Sequence, residues 1–249
     1  MASHSFRSLL TGFVVVTIVS LSTPAVGGST VFGCTGADHS FDRVFPQEPA
    51  DSDGGRFSTT VRTSTASDWN DNPPGHIGVH LWVSTDNYGG FVAQPFVEAF
   101  VEDGKYSTGA HRRFFGTAHQ VDGGPYQEAF WSVTPQLNTS ATLSAWALAA
   151  GTNKYQVTYS TSYSSGQIQW SGHAVGTDVF EGGIESSSSC NRQDRSYATT
   201  IQWRKRSTGV WNNIQNRSLH PGSSTSIGSC GTLNYRVWLN SQLATGICG

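Results

Sequence analysis

HIGVHLWVS, residues 76–84, alternates in character from one position to the next. Successive side chains of an extended strand point to opposite faces, so Ile77, Val79, Leu81 and Val83 share one side while His76, His80 and Trp82 share the other. A period of two among β-branched and aromatic residues predicts a strand with one face in a core. FVAQPFVEAFVE, residues 91–102, repeats the pattern. Ala93, Pro95, Val97, Ala99 and Val101 form an apolar face, and Val92, Gln94, Phe96, Glu98, Phe100 and Glu102 form a face that mixes polar with aromatic groups, as the lining of a groove does. On a third run His111, Arg113, Phe115, Thr117 and His119 share a side.

Working outward, similar short runs recur between turn signals at Phe57–Thr63, Arg112–Val121, Tyr126–Val133, Ala141–Leu148, Tyr155–Ser160, Gln167–His173, Val179–Glu185, Tyr197–Arg206 and Leu233–Leu239. With the first two stretches these make eleven expected strands, and apolar spacing of three and four is almost absent. The reading is all-β: an antiparallel β-sandwich of jelly-roll or concanavalin-like type. A single sandwich accommodates this length, so residues 76–249 are expected to form one domain. Residues 28–75 form an irregular lead-in segment with the first strand or strands. Within it DSDGG (51–55) and DWNDN (68–72) carry calcium-type oxygens without a complete calcium loop, and Asx turns account for both.

Residues 1–27 have the three-part form of a signal peptide: Arg7, an apolar run from Leu9 to Leu21, and small residues at Ala25 and Gly27. The run, about 13 residues, is shorter than the roughly 20 needed to span a bilayer. The expected mature protein is therefore secreted, with no membrane attachment after cleavage. Losing Arg7 takes the 15 basic residues to 14 against 17 acidic ones, a net charge of about −3. That balance provides no field for nucleic acid. Cys34, Cys190, Cys230 and Cys248 all lie in the exported part, and no two form a C-x-x-C pair. Two disulfides are expected to staple the domain. Three pairings are open; Cys190 with Cys230 and Cys34 with Cys248 is favoured, since it would tie the chain ends together.

No G-x-S-x-G, H-E-x-x-H, G-x-x-x-x-G-K-[ST] or G-x-G-x-x-G occurs. His76 and His80 sit about 13 Å apart along a strand at about 3.3 Å per residue, too far to share one zinc ion without a bulge. What remains is carboxylate and amide chemistry. FEGGIESSSSCN, residues 180–191, places Glu181 and Glu185 on one strand face, again about 13 Å apart, with Gly182 and Gly183 between them allowing close approach of a ligand or backbone.

Three segments in order resemble the glutamic peptidases of the eqolisin type. LWVSTDNYGGFVAQPF (81–96) is similar to that family's W-V-G-x-D-G strand followed by L-Q-T-G. YQEAFWSVTP (126–135) is similar to its aromatic W-Y-E-W-Y-P strand. FEGGIESSSSCN is similar to A-E-[WF]-I-[IV]-E. The resemblance covers about residues 80–191, and it departs from the family pattern at Gly182, at Pro95–Phe96 after the glutamine, and in the second segment. It implies a secreted acid endopeptidase in which Glu185 is the general base and Gln94 stabilises the oxyanion. Trp82, Phe96, Glu98, Trp131 and Glu181 would contact a polypeptide substrate, with a monomeric protein and no metal or cofactor. Two alternatives rest on the residues alone: a glycan-binding module using Trp82, Trp203 and Trp238, or a glycoside hydrolase using two of Glu98, Glu102, Glu128, Glu181 and Glu185. A non-catalytic surface protein is the fallback.

Overall fold

The structure, a computed structural model, describes residues 19–20, 40–46, 52–65, 75–84, 95–104, 112–149, 152–173, 179–186, 192–193, 196–213, 217–219, 228–229 and 235–237. For 19–20, 40–46, 179–181, 184, 186, 192–193, 196–199 and everything after 213 it describes the backbone alone. In chain order the strands are β1 (Val19–Ser20), β2 (Ser40–Pro46), β3 (Ser52–Thr60), β4 (Ser64–Thr65), β5 (His76–Ser84) and β6 (Phe96–Gly104). Next come β7 (Arg112–Gln120), β8 (Gln127–Phe130), β9 (Ser140–Ala147), β10 (Lys154–Thr161), β11 (Ser165–Ser171) and β12 (Val179–Ser186). The remainder are β13 (Arg192–Gln193), β14 (Ser196–Lys205), β15 (Trp211–Asn213), β16 (Arg217–Leu219), β17 (Gly228–Ser229) and β18 (Tyr235–Val237).

Two large antiparallel sheets carry the fold, and no helix occurs among the described residues. One sheet runs β1-β8-β7-β6-β5-β12-β2-β16; the other runs β11-β10-β9-β3-β14-β18-β17, with β15 beside β14. The strand pair β1 lies within the expected leader and borders β8, with Val19 opposite Glu128. Cysteines 34, 190, 230 and 248 lie outside the described residues, as do DWNDN and Trp238.

Alternation decides what the sheets bury. Ile77, Leu81, Val83, Val97 and Ala99 of the first sheet are fully enclosed, and they meet Phe57, Leu143, Ala145, Tyr155 and Val157 of the second. Each such aliphatic side chain contributes about 1.5–3 kcal/mol relative to leaving it in water. Phe115, Thr117 and His119 also face this interior. Thr117 Oγ1 donates to the Glu98 carbonyl at 2.6 Å and accepts from Trp170 Nε1 at 2.8 Å, which joins the two sheets.

Two expectations are corrected. Asp53 is not a turn residue or a calcium ligand: it lies inside β3, buried, with Arg204 Nη1 2.5 Å from its Oδ2. The glycines that suggested a turn are needed by the sheet, since a Cβ on Gly54 would stand 2.4 Å from the Ala145 carbonyl oxygen. Nor do Arg204, Lys205 and Arg206 form the solvated strand edge that three consecutive basic residues alternating in direction suggest. Arg204 and Lys205 end β14, which pairs with both β3 and β15, and Arg206 follows it; Arg204 holds Asp53 and Arg206 donates to the Ser52 carbonyl at 3.2 Å.

Candidate functional site

The outward face of the first sheet, turned away from the main core, carries a second and smaller apolar cluster of Phe100, Phe114 and Ala118, with Tyr126 and Phe130 against it. Beside this cluster, strands β12, β5 and β6 bring together groups far apart in sequence. Trp82 stands opposite Glu98 on one side and Glu181 on the other; His80 stands opposite Phe100 and Gly183; Gly78 stands opposite Glu102 and Glu185. With no side chain at Gly78 or Gly183, the acids around His80 can lean over it. A Cβ at Gly78 would lie 2.8 Å from that of Glu102.

His80 is the hub. Its ring stacks with those of Trp82 and Phe100, with centroids 5.1 Å away in each case and near-parallel planes of 13° and 22°. Nδ1 pairs closely with Glu98 Oε1 and lies 3.6 Å from Glu185 Oε2, while Nε2 lies 3.3 Å from Glu102 Oε2. His76 Nε2 reaches Glu185 Oε1 at 3.9 Å. Glu128 stands next to Ala118 on the neighbouring strands and accepts from the Tyr126 hydroxyl at 2.7 Å.

Burial and charge act against each other here. Burial alone would lower the His80 pKa, but the carboxylates of Glu98, Glu102 and Glu185 outweigh it and push it up to about 10. His76 responds in the same way: burial lowers its pKa, Glu102 and Glu185 overcome that, and it rises to about 9. Burial raises Glu98, even against the nearby His80. Burial also lifts Glu128 to about 7, with Glu102 and Glu98 adding to the effect and Tyr126 opposing it. His80, Glu98 and Glu102 are sealed from solvent, with side chains only 2–4% exposed, whereas the Glu185 side chain retains 17%. Of these acids, Glu185 is the one a substrate or an attacking water can touch.

The expected site residues divide as follows. Glu185, Glu98 and Trp82 come together around His80, and Phe96 is half-buried on the same face, 6.3 Å from Tyr126. Trp131 lies elsewhere. It continues the inward phase of Ala129, packs against the main core and meets Tyr159 edge-on at 4.8 Å. Glu181 takes its place on β12 opposite Trp82, and its side chain is not described. Gln94 lies outside the described residues. Trp82 and Trp203, offered above for a glycan platform, are buried. Sequence reasoning placed His76 and His80 on the right face but did not join them to Glu185, since that contact depends on β12 lying next to β5.

The class that this two-sheet sandwich defines is one of fold, and the fold is shared with peptidases. One solved structure of scytalido-glutamic peptidase, with a transition state analog inhibitor, is 13% identical, with a TM-score of 0.54, covering 82% of this chain and 98% of that one. A second, with a peptide based transition state analog, is 9% identical, with a TM-score of 0.51, covering 80% and 97%. No protein-family model and no curated protein matches this chain. Among the described residues no helix is long and apolar enough to cross a membrane.

Proposed function

We propose that this protein is a secreted peptide hydrolase of glutamic type in which Glu185 activates water. The observation that carries this reading is the position of Glu185: part-exposed, on the same sheet face as three buried glutamates, and held from beneath by His76 and His80. Similarity of fold to scytalido-glutamic peptidase supports it. The carboxylate takes a proton from water as it attacks the amide carbonyl, then returns that proton to the leaving amine, so one acid serves both halves of the reaction. Two imidazolium groups beside Glu185 fix its orientation and balance its charge. In this reading Gln94, three residues along the chain from Val97 in β6, donates its amide N–H to the developing oxyanion. Phe96 and Tyr126, both partly exposed, provide apolar surface for substrate side chains.

The test is hydrolysis of a denatured protein between pH 2 and 5 by the purified chain. Wild type is expected to cleave it. Glu185→Gln and Gln94→Ala should each reduce kcat by about 100-fold or more, the scale on which general-base and oxyanion groups act. An inert wild type across that range, or a Glu185→Gln variant as active as wild type, ends the proposal.

A further inference from the structure

We infer that His80, Glu98 and Glu185 form a binding site for one divalent transition cation of the zinc class. One ligand atom from each, an imidazole nitrogen and two carboxylate oxygens, lies within 4.8 Å of the others. Zinc holds nitrogen and oxygen ligands at about 2.0–2.2 Å, which separates the members of a tetrahedral set by roughly 3.4 Å. His80 Nδ1 and Glu185 Oε2, 3.6 Å apart, already stand at nearly that separation. His80 Nδ1 and Glu98 Oε1 stand closer together than two ligands of one ion, so a cation between them requires the Glu98 carboxylate to rotate away from the ring.

A second feature, behind the ligand set, points the same way. Nε2 of His80 faces Glu102 Oε2 at 3.3 Å, from a carboxylate sealed behind the ring. A carboxylate behind a ligating histidine fixes the ring and its tautomer, and a metal at the opposite nitrogen, Nδ1, would take the place of the proton that nitrogen shares with Glu98. Trp82 and Phe100 both stack against the same ring, so its direction is constrained before any ion arrives. Charge is the third consideration. Among the described residues Glu98, Glu102, Glu128 and Glu185 crowd one face beside the imidazoles of His76 and His80, and a dication there neutralises acids that burial has removed from water. Three protein ligands leave one position open to water, the arrangement of a site that exchanges its fourth ligand.

Binding is independent of the peptidase reading; one consequence rests on it. A cation that takes up the Glu185 carboxylate removes the base, so loading should suppress hydrolysis. The experiment titrates the full chain with Co²⁺ alone at pH 7, following visible ligand-field absorption, and with Zn²⁺ alone by calorimetry. Wild type is expected to bind one equivalent and to show a four- or five-coordinate cobalt spectrum. Glu98→Gln should weaken binding about 100-fold, and Glu102→Gln, which removes no ligand, should weaken it about 10-fold. Glu128→Gln should change it less than 3-fold. Thermal unfolding of each variant without metal checks that the fold is kept. Wild type that binds no stoichiometric Co²⁺ or Zn²⁺, or a folded Glu98→Gln variant that binds as wild type does, overturns the inference. Metal binding without hydrolysis at pH 2–5 would leave this site standing and remove the peptidase reading alone.

Discussion

Lowering the pH should weaken this fold through two histidines that take no part in the surface cluster. His119 on β7 and His173, just beyond β11, meet in the interior with Nδ1 and Nε2 2.9 Å apart. Gly172, at a φ of 90°, turns the chain inward there, and the N–H groups of Gly172 and His173 both bond to the Asn153 carbonyl. Around the pair stand Trp170, stacked on His119 at 4.1 Å, and Tyr155, edge-on to His173 at 5.6 Å; Gln127 hydrogen-bonds to His119. One imidazole donates to the other, so the accepting ring is neutral, and burial favours the neutral form of both. Burial, with the neighbouring His119 second, lowers the His173 pKa from 6.5 to about 4, and burial lowers His119 as well. A depressed imidazole pKa means that the unfolded chain takes up its proton first as pH falls. The stabilisation is complete above pH 6.5 and is lost progressively down to about pH 4. At about 1.4 kcal/mol per unit, the His173 difference is worth about 3 kcal/mol. Urea unfolding of wild type and His173→Gln at pH 7 and pH 4 isolates it: wild type should lose about 3 kcal/mol more than the variant between the two. Equal losses would refute the reasoning. An enzyme proposed to work in acid therefore carries a core pair that acid destabilises, and it should be less stable in its working range than at pH 7.

Gly116→Ala should destabilise the protein by about 1–3 kcal/mol, because its Cβ would fall 2.2–2.3 Å from two ring carbons of Phe100. Since that ring supports His80, an unchanged thermal midpoint would show that the outer face repacks freely. Arg204→Met should cost about 3 kcal/mol by stranding the buried Asp53 carboxylate, and adding Asp53→Asn should recover a large part of it. Denaturant unfolding of the single and double variants decides the point, and a double variant no more stable than the single one would count against the ion pair as the cause.

The sequence by itself determined the fold class and which face of the central strands turns toward the main core. Strict alternation in 76–84 and 91–102 left no other way to bury Ile77, Leu81, Val97 and Ala99 together, and the same alternation put His80, Glu98 and Glu102 on the far side. Local pattern is enough for this because a strand's period is a backbone property. Its weakest readings came where glycine and aspartate suggested turns: Gly54 and Asp53 lie within a strand because a neighbouring backbone and Arg204 need them there. Only the tertiary structure decided that β12 pairs with β5, so that Glu185 comes to His80 across more than a hundred residues of chain. Strand order is settled by which sheet edges fit which partners, and nothing local to FEGGIESSSSCN records it. Burial of the glutamates likewise arises only once five strands lie side by side, and with it the shifted protonation that gives the cluster its chemistry.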